Sequence, residues 1–114
     1  MIRLLLLLLT LAGAPLALAH HGWSAYDSQQ TLTMETEVRE LRYRNPHAEL
    51  TIEHQGREWR VVLAPLSRLE SRGLPESDLQ PGKTVTIVGY PRRDGTAELR
   101  AERVIVDGRT IELR

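Results

Sequence analysis

The sequence predicts an all-β domain with one short helix, and three observations support this fold class. From residue 31 to residue 63 apolar and polar positions alternate, which is the period of half-buried strands. A short segment with helix signals follows, and further alternating segments complete the chain. Three strands, a short helix and two or three more strands is the order of an OB-fold-like barrel of five to six strands. A small antiparallel β-sandwich is the alternative.

The first predicted strand begins at Thr31 and changes its apolar side partway along. Its apolar residues occupy even-numbered positions up to Val38 and odd-numbered positions from Leu41 onward. Such a change requires an extra residue, so we expect a β-bulge near Arg39–Glu40. A long, bent first strand of this kind contributes to both sides of a barrel.

The second and third strands are predicted to form a hairpin around Gln55–Gly56. A two-residue turn that contains glycine is typical of hairpins, and residues 47–54 before it alternate. Folding at this turn pairs Ile52 with Trp59 and places apolar residues opposite one another along the ladder. The same alternation places His47 on the outer face.

The remaining predicted elements are one helix and the closing strands. The helix is expected between Pro65 and Gly73, where Ser67 and Glu70 have the spacing of a capping box. The later segments are a loop over 75–82, strands over 83–90, 97–106 and 110–113, and turns at Asp94–Gly95 and Asp107–Gly108.

Residues 1–19 have the pattern of a cleavable signal peptide. Arg3 precedes an unbroken leucine run, and Ala17-Leu18-Ala19 has the spacing of a cleavage site. The apolar stretch is shorter than the ~20 residues of a membrane span, although an uncleaved anchor is the alternative. We therefore expect an arm over 20–30 and a barrel domain over 31–114. The mature protein is expected to be periplasmic or secreted from a bacterium, without stable membrane insertion.

Composition excludes several classes of function. The 114 residues include 15 basic and 15 acidic side chains, and this zero net charge provides no electrostatic footprint for nucleic acid. There is no cysteine, which excludes disulfides, thiolate metal sites and cysteine nucleophiles. The chain contains no His-Glu-x-x-His, Gly-x-Ser-x-Gly or phosphate-loop motif. We therefore predict a binding protein without enzyme activity and without nucleic-acid partners.

Seven motifs link the chain to a known family. They are His20-His21, Tyr26-Asp27, Asn45-Pro46-His47, Trp59, Leu63 to Gly73, Pro81-Gly82 and Gly89. With these motifs, over most of residues 20–108, the chain resembles domain-of-unknown-function family 6152, a family of small exported bacterial proteins. The resemblance implies export and a compact β domain, and it implies no particular activity.

Cleavage after Ala19 would give His20 a free α-amine beside its own imidazole. These two nitrogens can chelate one metal ion, and a second histidine would complete a three-nitrogen site resembling the histidine brace of copper proteins. His47 is the best candidate for that position because it faces outward after Asn45-Pro46, and His21 is the other candidate. The sequence therefore predicts a copper site, with mobile terminal histidines as the alternative.

Trp23 and Tyr26 in the arm are candidate ligand-binding residues, because aromatic rings stack on sugars and aromatic ligands. Alternatively, the two rings pin the arm to the barrel, which the apolar strand that follows favours. The predicted function is an exported binding module for copper. The alternative is a module that binds a non-metal ligand or a protein of the bacterial envelope.

Overall fold

Seven strands and one short helix form the domain in the computed structural model, which describes residues 22–114. The strands are β1 (Leu32–Glu37), β2 (Glu40–Arg42), β3 (Glu49–His54), β4 (Arg57–Val62), β5 (Thr84–Pro91), β6 (Glu98–Val106) and β7 (Arg109–Glu112). The helix α1 (Leu66–Ser71) lies between β4 and β5, and 3-10 turns occupy Trp23–Ala25 and Glu76–Leu79. Within residues 22–114 no helix is both long enough and apolar enough to cross a bilayer. The predicted signal peptide lies outside the described residues.

The strands close into a barrel. Neighbouring strands follow the order β1-β5-β6-β4-β3-β2, and β1 and β2 are consecutive parts of one bent segment. The pairs are antiparallel except for β4 with β6, which is parallel. With β1 and β2 counted as one strand, this is a five-stranded barrel with OB-fold connectivity, and β7 adds a further strand on β6. The predicted OB-fold-like barrel is therefore confirmed.

The bend in the first segment occurs at Val38 and Arg39. The Val38 amide donates to the Lys83 carbonyl at 2.9 Å, whereas the Arg39 amide donates to the Thr51 carbonyl at 3.0 Å. Two adjacent residues therefore bond to opposite neighbours, and the chain changes from pairing with β5 to pairing with β3. The change of apolar side that the sequence shows is the consequence of this switch, which lies next to the predicted position at Arg39–Glu40.

The hairpin of β3 and β4 has the predicted register, with Ile52 opposite Trp59 and Leu50 opposite Val61. Its inward side chains join a single core. The largest fully buried side chains include Met34, Leu50, Ile52, Leu63, Leu69, Leu74, Leu79, Ile87 and Leu99. Burial of a side chain of this size contributes about 1.5–3 kcal/mol. In a chain without cysteine, this core is the main source of stability.

The helix α1 begins at the predicted position, but its N-terminus is capped differently. Its N-cap is Pro65, and no side chain of the cap residue bonds to the helix, so the capping box of Ser67 and Glu70 is wrong. Instead, the Leu66 amide donates to the Asn45 side-chain oxygen at 3.2 Å, which supplies one of the acceptors that a helix start requires. Asn45 belongs to the loop before β3, so this bond also ties that loop to the helix.

A bulge between β5 and β6 was not predicted from the sequence. The pairing passes from Val88–Arg103 to Gly89–Ala101, so Glu102 is an extra residue on β6. Buried apolar positions on β6 are odd-numbered before the bulge and even-numbered after it. The bulge therefore keeps the apolar side of β6 in the core along its whole length.

Gly89→Ala tests how closely the two strands approach at this bulge. An added Cβ would lie 2.2 Å from the Arg100 carbonyl oxygen, so one strand backbone must move. We expect the free energy of unfolding to fall by about 1–3 kcal/mol in denaturant titrations. Gly22→Ala is the control because its added Cβ meets nothing within 4 Å. Equal losses in the two variants would contradict the close approach.

Candidate functional site

A groove of about 620 Å³ lies on the outer face of the barrel across β3, β4 and β6. The strands supply its floor, and the N-terminal arm and the loop before β3 contribute to its sides. Its lining residues are Tyr26, Pro46, His47, Glu49, Arg60, Val62, Arg92, Glu98 and Arg100. OB folds bind ligands on the corresponding face, between the loops that join strands one to two and four to five. The groove is therefore the candidate site.

The strand register brings the floor residues together. Val62 on β4 pairs with Glu49 on β3 and with Arg100 on β6. Two positions earlier on β4, Arg60 pairs with Glu98. Because side chains two residues apart lie on the same face of a strand, these residues form two adjacent rows on the outer face.

Glu98 holds the arm against this face. Its side chain accepts a hydrogen bond from the Tyr26 hydroxyl at 2.6 Å and from an Arg92 guanidinium nitrogen at 3.2 Å, and an Arg60 nitrogen lies 3.6 Å away. Only 8% of Glu98 is exposed, so its charge depends on these partners. Burial, reinforced by the bond to Glu98, raises the pKa of Tyr26 to about 12, so the phenol remains a donor at neutral pH.

Glu49 is the second carboxylate of the groove, and it is also neutralised. The Arg60 guanidinium approaches both of its oxygens, with Nε at 2.9 Å from Oε2. An Arg42 nitrogen lies 3.9 Å from the same carboxylate. Paired Arg and carboxylate groups in this fork geometry are strong hydrogen-bond partners. Glu49 therefore has little negative charge left for other groups.

Arg100 differs from these arginines because it is buried without a carboxylate partner. It is 9% exposed, and its guanidinium carbon lies 4.8 Å from the centroid of the Trp23 ring. Its Nε is buried and donates to no acceptor, and no carboxylate lies within ion-pair distance in residues 22–114. Burial lowers the pKa of Arg100, with Tyr26 and Glu98 opposing that effect. A guanidinium nevertheless remains charged in proteins, so the groove holds a buried cation.

His47 lines the same groove and is half buried. Burial lowers the pKa of its imidazole, the charge of Arg100 lowers it further, and Glu49 opposes both effects. The imidazole is therefore neutral at pH 7, with one nitrogen that donates and one that accepts. It adds hydrogen-bonding capacity to the groove without adding charge.

Trp23 and Tyr26 both pack the arm onto the barrel. Tyr26 is buried, and the amide of the next residue, Asp27, donates to the Pro91 carbonyl at 2.8 Å. Trp23 meets the Tyr90 ring edge-on at 5.8 Å, and the Arg114 guanidinium lies 4.4 Å from its centroid. Tyr26 also lines the groove, whereas Trp23 contacts it through Arg100. These contacts agree with the interpretation that the two rings pin the arm to the barrel.

Only one of the three predicted metal ligands lies within the described residues. His47 lies in the groove, whereas His20 and His21 are outside the described residues. Among residues 22–114, no group of three or more histidine, aspartate or glutamate side chains is arranged to hold a metal ion. Of the three predicted ligands, the described residues therefore include only His47.

The sequence interpretation missed the charged groups of the floor. It named neither Glu98 nor Arg100 as a site residue, although both line the groove. The alternation of Glu98 and Arg100 with Leu99 places both charges on the outer face. The strand pattern does not indicate, however, that the arm covers that face and excludes water from it.

Comparison with known proteins identifies a family and no activity. Residues 8–100 match the family described as "Family of unknown function (DUF6152)". This match covers most of the chain, including every residue that lines the groove. No curated protein matches the chain.

Proposed function

We propose that this chain, which belongs to the family of unknown function DUF6152, is an exported binding module whose site is the groove on β3, β4 and β6. Export is supported by the signal-peptide pattern of residues 1–19, which favours a location in the periplasm or outside the cell. Binding is supported above all by Arg100, a buried cation beside a neutral His47 in a concave surface.

The charges of the groove favour a non-metal ligand as its occupant. Three guanidinium groups, on Arg60, Arg92 and Arg100, face two carboxylates, on Glu49 and Glu98. With His47 neutral, the groove carries a net charge of one positive, which repels a free cation. A small polar ligand, or the polar end of an envelope protein, matches this surface better.

A fragment screen by two-dimensional NMR tests whether the groove is the binding site. Neutral, anionic and cationic fragments are added to the processed protein, and shifted resonances are mapped onto the barrel. We expect the shifts to cluster at Tyr26, His47, Val62 and Arg100, and to weaken in His47→Ala. His54→Ala, at the far end of β3 from the groove, is the matched control. Shifts that are scattered, or that fall only around Trp59, would overturn the proposal.

Copper is the second candidate ligand, and the course of the arm favours it. Trp23 lies over Arg100, and Arg100 is close enough to His47 to lower its pKa. His20 is three residues before Trp23, a distance of about 10–11 Å in extended chain. The neutral imidazole of His47 is also the form that binds metals. We therefore propose that a terminal His20 meets His47 over the groove.

Copper titration of two proteins tests this second candidate. One has a free α-amine on His20, and in the other that amine is acetylated, which keeps every side chain but removes the amine as a ligand. If the processed terminus chelates Cu(II), we expect the acetylated protein to bind at least about tenfold more weakly, since an amine ligand is lost. Equal affinities of the two proteins would exclude the brace.

A further inference from the structure

Among residues 22–114, the Arg100 guanidinium is unusual because it is a buried charge without a carboxylate partner. A buried charge is unfavourable unless it is paired, and a paired arginine normally has a carboxylate in its plane. Arg100 is nine-tenths buried, and its Nε lacks an acceptor among residues 22–114. The cation–π contact with Trp23 compensates part of the lost hydration but accepts no hydrogen bond from Arg100.

The chain itself has no carboxylate left to pair with Arg100. Residues 1–21 contain neither aspartate nor glutamate, so no acidic side chain from the undescribed part can reach it. Glu49 is held by Arg60, and Glu98 by Tyr26 and Arg92. Both carboxylates therefore serve other partners, beyond ion-pair distance of Arg100.

We propose that the missing partner is a carboxylate of the ligand, and that Arg100 is the residue that recognises it. This inference rests on the proposed function of the groove and specifies the ligand class. A guanidinium fork matches a planar carboxylate with two parallel hydrogen bonds. The net charge of one positive in the groove is balanced by one carboxylate. A phosphate dianion would instead bring excess negative charge beside Glu49 and Glu98.

The neighbours of Arg100 indicate what carries the carboxylate. Val62, Pro46 and the ring of Tyr26 give the groove apolar surface next to the guanidinium. The neutral imidazole of His47 offers one further hydrogen bond without additional charge. These groups suit a carboxylate attached to an apolar body, either a small organic acid or the C-terminal end of a peptide.

Matched acid and amide probes test the inference by NMR titration of the processed protein. Benzoate and benzamide represent a small acid and its uncharged analogue, and N-acetylphenylalanine and its amide represent a peptide end. We expect each acid to shift the Arg100 Nε–H and His47 resonances and to bind at least about tenfold more tightly than its amide. A preference for one of the two acids then identifies the source of the carboxylate.

Two variants assign the effect to the guanidinium. Arg100→Gln removes the charge and is expected to weaken acid binding at least about tenfold while leaving the amides unaffected. Arg103→Gln removes the same charge from the same strand outside the groove, where Arg103 pairs with Glu112, and is expected to change nothing. Thermal melts confirm that each variant is folded. The comparison of acid with amide on the unchanged protein does not depend on any variant.

The outcomes separate this inference from the proposed function. If acids and amides bind the groove equally, or if Arg100→Gln binds acids as the unchanged protein does, the carboxylate inference is wrong and the groove remains a binding site. If fragments of every charge leave the groove resonances unshifted, the proposed function fails as well.

Discussion

The hydrogen bond between the Tyr26 hydroxyl and the buried Glu98 carboxylate is the interaction on which the outer face of the barrel depends. Other contacts also attach residues 22–30, among them the bonds of the Asp27 amide to the Pro91 carbonyl and of the Arg93 amide to the Ala25 carbonyl, and the packing of Trp23 against Tyr90. Through the bond to Glu98 the arm covers part of β6 and removes water from the floor residues. Burial and, second to it, this bond raise the pKa of Tyr26, and the same contact covers the Glu98 carboxylate.

Coverage by the arm converts an ordinary outer surface of the barrel into a candidate binding site. On an exposed strand, Arg100 would be a hydrated side chain and a salt-screened charge. Beneath the arm it is a desolvated cation with directional donors, and its interactions are stronger because the surroundings are less polar. His47 is affected in the same way, since burial and the neighbouring guanidinium keep its imidazole neutral. The chemistry of the groove therefore follows from the position of the arm.

Local patterns in the sequence were sufficient for the barrel and insufficient for the site. The change of apolar side after Val38 predicted the bend, and the alternation around Gln55–Gly56 predicted the hairpin register, because both are properties of neighbouring residues. The predicted capping box of α1 was wrong because the acceptor at the helix start, Asn45, is 21 positions away from Leu66. The partner of Glu98 is 72 positions away, at Tyr26, so no local pattern indicates that this charge is buried.

Hydrogen exchange of the Asp27 amide in Tyr26→Phe is the most direct test of this account. The variant removes one hydroxyl and keeps the ring, and the Asp27 amide reports whether the arm still bonds to Pro91. We predict much faster exchange and a loss of about 1.5–3 kcal/mol in the free energy of unfolding, as expected for a bond to a charged group. Tyr90→Phe, which removes a comparable bond to Glu102 outside the groove, provides the reference. Unchanged exchange at Asp27 in Tyr26→Phe would contradict the central role of the Tyr26–Glu98 bond.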